Sequence, residues 1–294
     1  MEHPLPPLAT AKFRTYLRQL HEQLDAATTS EVRRARYELD LMEKSHFIEL
    51  NGIVHHYHDS GPADAEKVVV LIHGWDCWWM WWHHVIRELN SRGIRTVAYD
   101  MRGHGWSDND PRNHYHIDFF AQDLGQLVDK LGLERFHIAA FSFGPFVALD
   151  YARTAPGRIL SMTFFNFGYL PNNAFISAVA PASITFMFNN LLRGLTWWLP
   201  AYIFARLVLA KNTVMLHDIL IGFKSLGLCA PEAIEQTTRQ ITSLFAASMN
   251  ALIFSGLLTP GARSTPLAVS TAHGRIICTA AATFSGLRPP ARIA

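Results

Sequence analysis

The chain predicts an α/β fold: a mostly parallel sheet flanked by helices, with a helical insertion and an N-terminal helical arm. Two observations lead there. Short apolar runs at 68–72, 94–99, 136–141 and 159–165 alternate with amphipathic helical patterns, and strands joined through helices run parallel with crossovers between them. The second observation is FHIAAFSFGPFVALDY, residues 136–151. It reads as a buried strand, a sharp turn and a helix, with the Ser142 hydroxyl at the apex. Small residues, Ala140 and Gly144, stand two positions away on either side, as so tight a turn demands. On this stretch alone, a serine that caps the following helix is an equal reading.

The 294 residues, 49% hydrophobic and 17% charged, suit one large domain or a core with an inserted lid. A formal charge of +2, with no basic run interleaved with aromatics, sets nucleic acid aside as a partner. Cys77, Cys229 and Cys278 are widely spaced and form neither a disulfide framework nor a metal pattern, so a reducing compartment is expected. The N-terminus lacks the apolar core of a signal peptide, and no run reaches the roughly 18 apolar residues of a spanning helix. The expected location is cytoplasmic, with membrane association kept open by the middle of the chain.

In order, residues 1–45 form a helical arm. Phe13, Leu17, Leu20 and Leu24 share one stripe, and Ser30 can cap a second helix carrying Val32, Tyr37, Leu39 and Met42. The arm either packs on the domain or offers a partner- or membrane-binding surface. Residues 46–168 form the core. Asn51-Gly52 joins two strands as a hairpin. His55, His56 and His58 crowd the second strand, but neighbours on a strand face opposite ways and no carboxylate or cysteine completes a metal site. The strand at 68–72 ends in His73-Gly74-Trp75. In WDCWWMWWHH, residues 75–84, Trp75, Trp78, Trp79 and Trp82 fall on one helical face. They either pack on the sheet or line an acyl pocket or lipid-facing mouth.

The strand at 94–99 leads into DMRGHGWSD, residues 100–108. There the glycines turn the chain while Asp100 and Arg102 tie it down. A helix carrying Phe119, Phe120, Leu124, Leu127, Val128 and Leu131 precedes the Ser142 stretch. Residues 169–257 read as a helical lid, rich in Phe, Ile, Leu and Trp, and interrupted or bounded by Arg193, Arg206 and Lys211. Buried packing explains it, and so does contact with a bilayer or long-chain lipid.

Three stretches in this order, HGW, DMRGHGWS and AFSFG, resemble the α/β-hydrolase family over residues 46 to about 166, with Ala140 where the commoner pattern has glycine. The resemblance implies that Ser142 is a nucleophile and that the backbone N–H groups of Trp75 and Phe143 form an oxyanion hole, worth about 3–4 kcal/mol each in favourable cases. The place of His104 in the motif argues against its being the base. A serine at the elbow speaks against epoxide hydrolases and haloalkane dehalogenases, which carry aspartate there. The implied function is hydrolysis of a carboxylic ester with an apolar acyl chain, esterase- or lipase-like, through an acyl-enzyme and without cofactor or metal. C–C or amide hydrolysis on the same scaffold, or a catalytically impaired relative that only binds apolar ligands, are the alternatives. Peripheral membrane contact through the lid stays open, as does oligomeric state.

A serine nucleophile needs a base, and in this family the order is Ser, then acid, then His. No aspartate follows Asp218 and the last glutamate is Glu235. His273 is the single histidine beyond His217 and is therefore the base candidate. Glu232 and Glu235 lie in an apparent lid helix. Asp150 faces away down the elbow helix, and Asn166 stands near an alternative acid position without a charge. His217-Asp218 is not a triad pair by adjacency alone, so no acid can be named. Residues 258–294 are either a divergent strand pair, with 276–279 as a remnant, or a departure from the ancestral sequence by frame change or truncation. Their lack of acids favours the second account. Loss of the base typically costs about four to six orders of magnitude in turnover.

Overall fold

The computed structural model describes residues 5–25, 29–166, 174–193, 206–207, 213–244, 268–272 and 275–282. Among these, β1 (Ser45–Leu50) and β2 (Ile53–Ser60) form an antiparallel hairpin. Its turn residues, Asn51 at φ +50° and Gly52 at φ +78°, both take the positive angles that a two-residue hairpin favours. Then come β3 (Val68–Ile72), β4 (Arg95–Tyr99), β5 (Phe136–Phe141) and β6 (Ile159–Phe165). The sheet order is β1-β2-β4-β3-β5-β6-β8-β7. Its centre, β4-β3-β5-β6, is parallel. At the far edge β7 (Ala268–Ala272) and β8 (Arg275–Ala282) run antiparallel to each other, and β8 is antiparallel to β6. A strand pair thus occupies the tail, with residues 276–279 inside β8.

Strands β3, β4 and β5 bury residues on both faces of the sheet, which is why they read as largely apolar runs. Val70, Ile72, Val97, Tyr99, Ile138 and Ala140 pack on one side against α4 (Ile117–Lys130) and α5 (Gly144–Thr154). Leu71, Ala98 and Ala139 pack on the other with Trp78, Trp79, Trp82 and Trp106. The second layer also takes in the arm helices α1 (Ala11–Leu24) and α2 (Thr29–Met42). The Thr10 hydroxyl accepts from the Phe13 N–H and donates to the Trp106 carbonyl at 2.6 Å, so it caps α1 and pins it to the core.

The tryptophan segment departs from its predicted helix. Trp78 is extended at φ −150°, and a 3-10 turn covers Trp79–Trp82 before α3 (His83–Ser91). The reason is long-range: an Asp100 carboxylate oxygen accepts the Trp79 N–H at 2.8 Å, so the turn starts there. Trp78, Trp79 and Trp82 are buried, whereas Trp81 is 46% exposed.

Asp100 is fully buried and also accepts from the Trp106 N–H and from His56, each at 2.9 Å. Gly105, at φ +48°, turns against it so closely that a Cβ there would lie 2.3 Å from the carboxyl carbon. Arg102 forks onto Asp123 at 2.6 and 2.7 Å and reaches Asp110 at 2.9 Å. The two charged residues therefore hold the loop as the sequence predicts. Burial disfavours the Asp123 carboxylate, but hydrogen bonds from His55 and Arg102 outweigh it and hold the group below its ordinary value.

Among the described residues, α6 (Ala174–Phe186), α7 (Thr213–Leu228) and α8 (Pro231–Leu244) fall between β6 and β7. Lys224 of α7 reaches the buried Glu38 carboxylate of α2 at 2.7 Å, and the Tyr16 hydroxyl of α1 donates to the same group at 2.5 Å. Among the described residues no helix is long and apolar enough to cross a membrane.

Removing Arg102 takes the buried guanidinium from two buried carboxylates, Asp123 and Asp110, and breaking a buried ion pair from one side costs about 3–5 kcal/mol. Arg102→Met is expected to lose that much in urea unfolding; a loss below about 1 kcal/mol, the worth of an exposed pair, contradicts the role. Acid acts through the histidines. Burial, aided by His56 beside His58 and His73 beside His104, pushes both His58 and His104 down to about 3. Both are neutral in the fold and take up a proton on unfolding between those values and the ordinary 6.5. Stability therefore falls as pH drops through that window, by up to about 1.4 kcal/mol per pH unit for each. His58→Phe, which preserves the stack on Trp79, is expected to flatten the slope between pH 6.5 and 4; an unchanged slope contradicts this.

Candidate active site

Strand register brings the two sequence stretches together. Ile72 of β3 pairs with Ala140 of β5, so the residues two positions beyond each, Gly74 and Ser142, lie side by side past the carboxyl ends of adjacent parallel strands. β3 sits between β4 and β5, where the strand order reverses, and open α/β sheets bind ligands at such a switch point.

Ser142 adopts φ +55°, a left-handed angle that costs a non-glycine residue free energy and is found where the surroundings impose it. Its N–H donates to the Phe165 carbonyl of β6 at 2.9 Å, and α5 begins two residues later. Gly144 explains the small residue after the turn: a Cβ there would lie 2.7 Å from the Ile72 carbonyl and 2.9 Å from that of His73. Gly74 explains the small residue of the facing loop, since its Cβ would lie 3.0 Å from that of Ser142. The Ser142 side chain is half-buried at this apex.

The loop after β3 is held by His73. The Met101 N–H donates to His73 Nε2 at 3.0 Å, so the proton sits on Nδ1 and is donated to the Gly74 carbonyl at 2.7 Å. The Cys77 N–H donates to the same carbonyl at 3.2 Å. In a trans peptide the C=O and the following N–H point opposite ways, so fixing the Gly74 carbonyl fixes the direction of the Trp75 N–H. Neither the Trp75 nor the Phe143 N–H donates to a backbone acceptor among the described loop and cap contacts.

Apolar surface surrounds this region. Half-buried Trp75 packs on Phe188 with ring centroids 4.3 Å apart, and the exposed Trp81 stacks on Phe141 at 5.7 Å. Phe175, Val179, Phe186, Met187 and Leu191 of α6 and the π-helical turn Met187–Leu192 are exposed.

The other predicted residues fall as follows. His104 is fully buried with its Nδ1 on the Arg102 carbonyl at 2.9 Å, which suits a structural role. His55 points to Asp123 and His56 to Asp100, on opposite faces of β2, while His58 stacks on Trp79. Asp150 pairs with Arg153, and Glu235 with Arg239. Glu232 and Asn166 are exposed, Asn166 following the β6 residue that pairs with Phe141. His217 and Asp218 separate, His217 lying toward Glu38 and Asp218 toward His83 and His84. His273 lies outside the described residues. Among the described residues, no histidine–carboxylate pair makes a recorded contact with Ser142. Sequence reasoning missed Asp76, at φ +54° directly after Trp75, whose carboxyl burial pushes up to about 8. The signal was an acid placed next to the loop's proposed donor.

A family model described as alpha/beta hydrolase fold matches residues 67–192. Epoxide hydrolase 3 of Siraitia grosvenorii is 30% identical over 127 residues, 43% of this chain and 39% of that protein. A putative carbamate hydrolase RutD of Variovorax paradoxus is 33% identical over 117 residues, 40% and 44% of the two chains. A non-heme chloroperoxidase of Streptomyces lividans is 38% identical over 104 residues, 35% and 37%. The chain thus matches less than half the length of each of these relatives. Among solved structures, an epoxide hydrolase from Vigna radiata superposes with TM-score 0.52 at 22% identity, covering 70% of this chain and 76% of that one. A hydrolase from Pseudomonas aeruginosa gives 0.53 at 21%, covering 68% and 73%. With the parallel sheet, the strand–serine–helix turn and the glycine-spaced loop beside it, these likenesses show that the core of this chain has the α/β-hydrolase fold.

Proposed function

We propose that the chain is a serine hydrolase acting on a carboxylic ester with an apolar acyl chain. The observation that carries this reading is Ser142 itself, a hydroxyl-bearing residue in a left-handed turn beside Gly74, at the sheet's switch point. In the proposed reaction the Ser142 hydroxyl attacks the ester carbonyl. The Trp75 and Phe143 N–H groups hold the negative charge that develops on its oxygen. The alcohol departs with a proton, and water releases the acyl group from the serine. His273 is the proposed base, which would carry the proton at both steps. An apolar acyl chain is supported by the Trp75–Phe188 and Trp81–Phe141 pairs and by the exposed apolar side chains of α6. Several relatives named as epoxide hydrolases support hydrolysis in general, while a serine rather than an aspartate at the elbow favours an acyl substrate. Cytoplasmic location, with peripheral membrane contact through the segment 169–257 that the sequence predicts as a lid, belongs to the same proposal.

A second reading is favoured by one feature: no acid–histidine pair accompanies Ser142 among the described residues. It makes the chain an impaired relative that binds apolar ligands without turning them over. A fluorophosphonate probe separates the two. The ester hydrolase is expected to be labelled, with labelling lost in Ser142→Ala and turnover of a long-chain p-nitrophenyl ester reduced about 10⁴-fold or more. Folded wild-type protein that stays unlabelled, or Ser142→Ala that labels equally, rejects the hydrolase reading.

A further inference from the structure

Two adjacent histidines and a carboxylate from a distant helix converge on one point outside the Ser142 region. His83 and His84 open α3, directly after the tryptophan turn, and Asp218 lies in α7. The Asp218 Oδ1 atom is 3.2 Å from His83 Nε2 and 3.0 Å from His84 Nε2, and the three ligand atoms all lie within 4.8 Å of one another. Successive helical residues ordinarily diverge by about 100°. Here the imidazole rings are instead 3.8 Å apart, both turned toward the same carboxylate.

We propose that His83, His84 and Asp218 bind a divalent transition-metal ion of the zinc type, which fastens helix α7 to helix α3. Ligand atoms about 2.0–2.1 Å from a tetrahedral zinc stand roughly 3.3 Å apart, close to the two separations seen here. Two imidazoles and one carboxylate suit zinc, cobalt, nickel or ferrous ions rather than calcium or magnesium, and three protein ligands leave one position open. The His83 ring is buried, its side chain 4% exposed, while those of His84 and Asp218 are 43% and 38% exposed, so an ion can enter from solvent.

An outer partner is already in place. His83 Nδ1 lies 2.7 Å from the Tyr37 hydroxyl of α2, the kind of contact that orients a ligating imidazole. Without metal the Tyr37 hydroxyl donates to Nδ1 and Nε2–H donates to Asp218; with metal the imidazole changes tautomer and donates to Tyr37. The scaffold is stiffened by α7 packing on the tryptophan turn, where a Cβ on Gly222 would lie 3.1 Å from the Trp81 ring. One contact opposes binding: Arg87 reaches His84 Nδ1 at 3.3 Å. An arginine only donates, so this bond holds His84 in the tautomer that keeps a proton on Nε2, and Arg87 must swing away.

The test is titration of the full chain with Co²⁺, read by its visible ligand-field absorption, and then with Zn²⁺ as competitor. One equivalent of Co²⁺ is expected to give a tetrahedral spectrum that Zn²⁺ removes. His84→Ala and Asp218→Asn alter exposed side chains, and circular dichroism checks that they fold. Each is expected to weaken binding by at least the about 10–100-fold that loss of an outer partner costs, and Arg87→Ala to tighten it. No tetrahedral spectrum at one equivalent overturns the proposal, as does a spectrum that survives unchanged in both ligand variants, which would place the ion on other histidines of the chain.

Discussion

The constraint on which the structure turns is a backbone contact too close for any side chain. At Gly144 the first turn of α5 meets the carbonyls of Ile72 and His73 at distances that a Cβ would reduce to under 3 Å. Gly74 meets the Ser142 side chain from the opposite side. Together these approaches leave the connection after β5 a single course, a left-handed residue followed at once by a helix. The residue at the apex is then pushed out of the sheet, not folded into it. That is how a packing requirement becomes a chemical one: the hydroxyl is presented at the strand ends, beside a loop whose own peptide is locked by His73.

Charge is spent on holding that arrangement. Asp100 receives hydrogen bonds from three separate segments, and Arg102 bridges two buried carboxylates. Such groups are costly to bury and persist where every lone pair and proton finds a partner. Each acid in this loop network is thereby committed to structure. The same holds for the histidines of β2, two of which serve as donors to buried acids.

How far the amino-acid order speaks for itself depends on the range of the interaction. The hairpin at Asn51-Gly52, the central strands and the Ser142 turn are local: positive φ angles, continuous burial and small flanking residues all leave marks within a few positions. The tryptophan turn was misread as a helix because its start is set by Asp100, 21 residues downstream of Trp79. The meeting of His83 and His84 with Asp218 spans about 135 positions and leaves no periodic trace. Nor does the pairing of Glu38 with Lys224. For the proposed site, the left-handed turn at Ser142 and the loop beside it were readable because both are local. No acid could be named from the sequence, and the proposed base, His273, lies outside the described residues.

The central claim is that Ser142 stands opposite two backbone amides positioned for negative charge. A crystal structure of the protein after reaction with an alkyl phosphonate measures this directly. The account predicts phosphorus bonded to the Ser142 oxygen, with one phosphonyl oxygen about 2.7–3.1 Å from both the Trp75 and the Phe143 nitrogens. A phosphonyl oxygen turned away from those two nitrogens, or an adduct on a different residue, would contradict it.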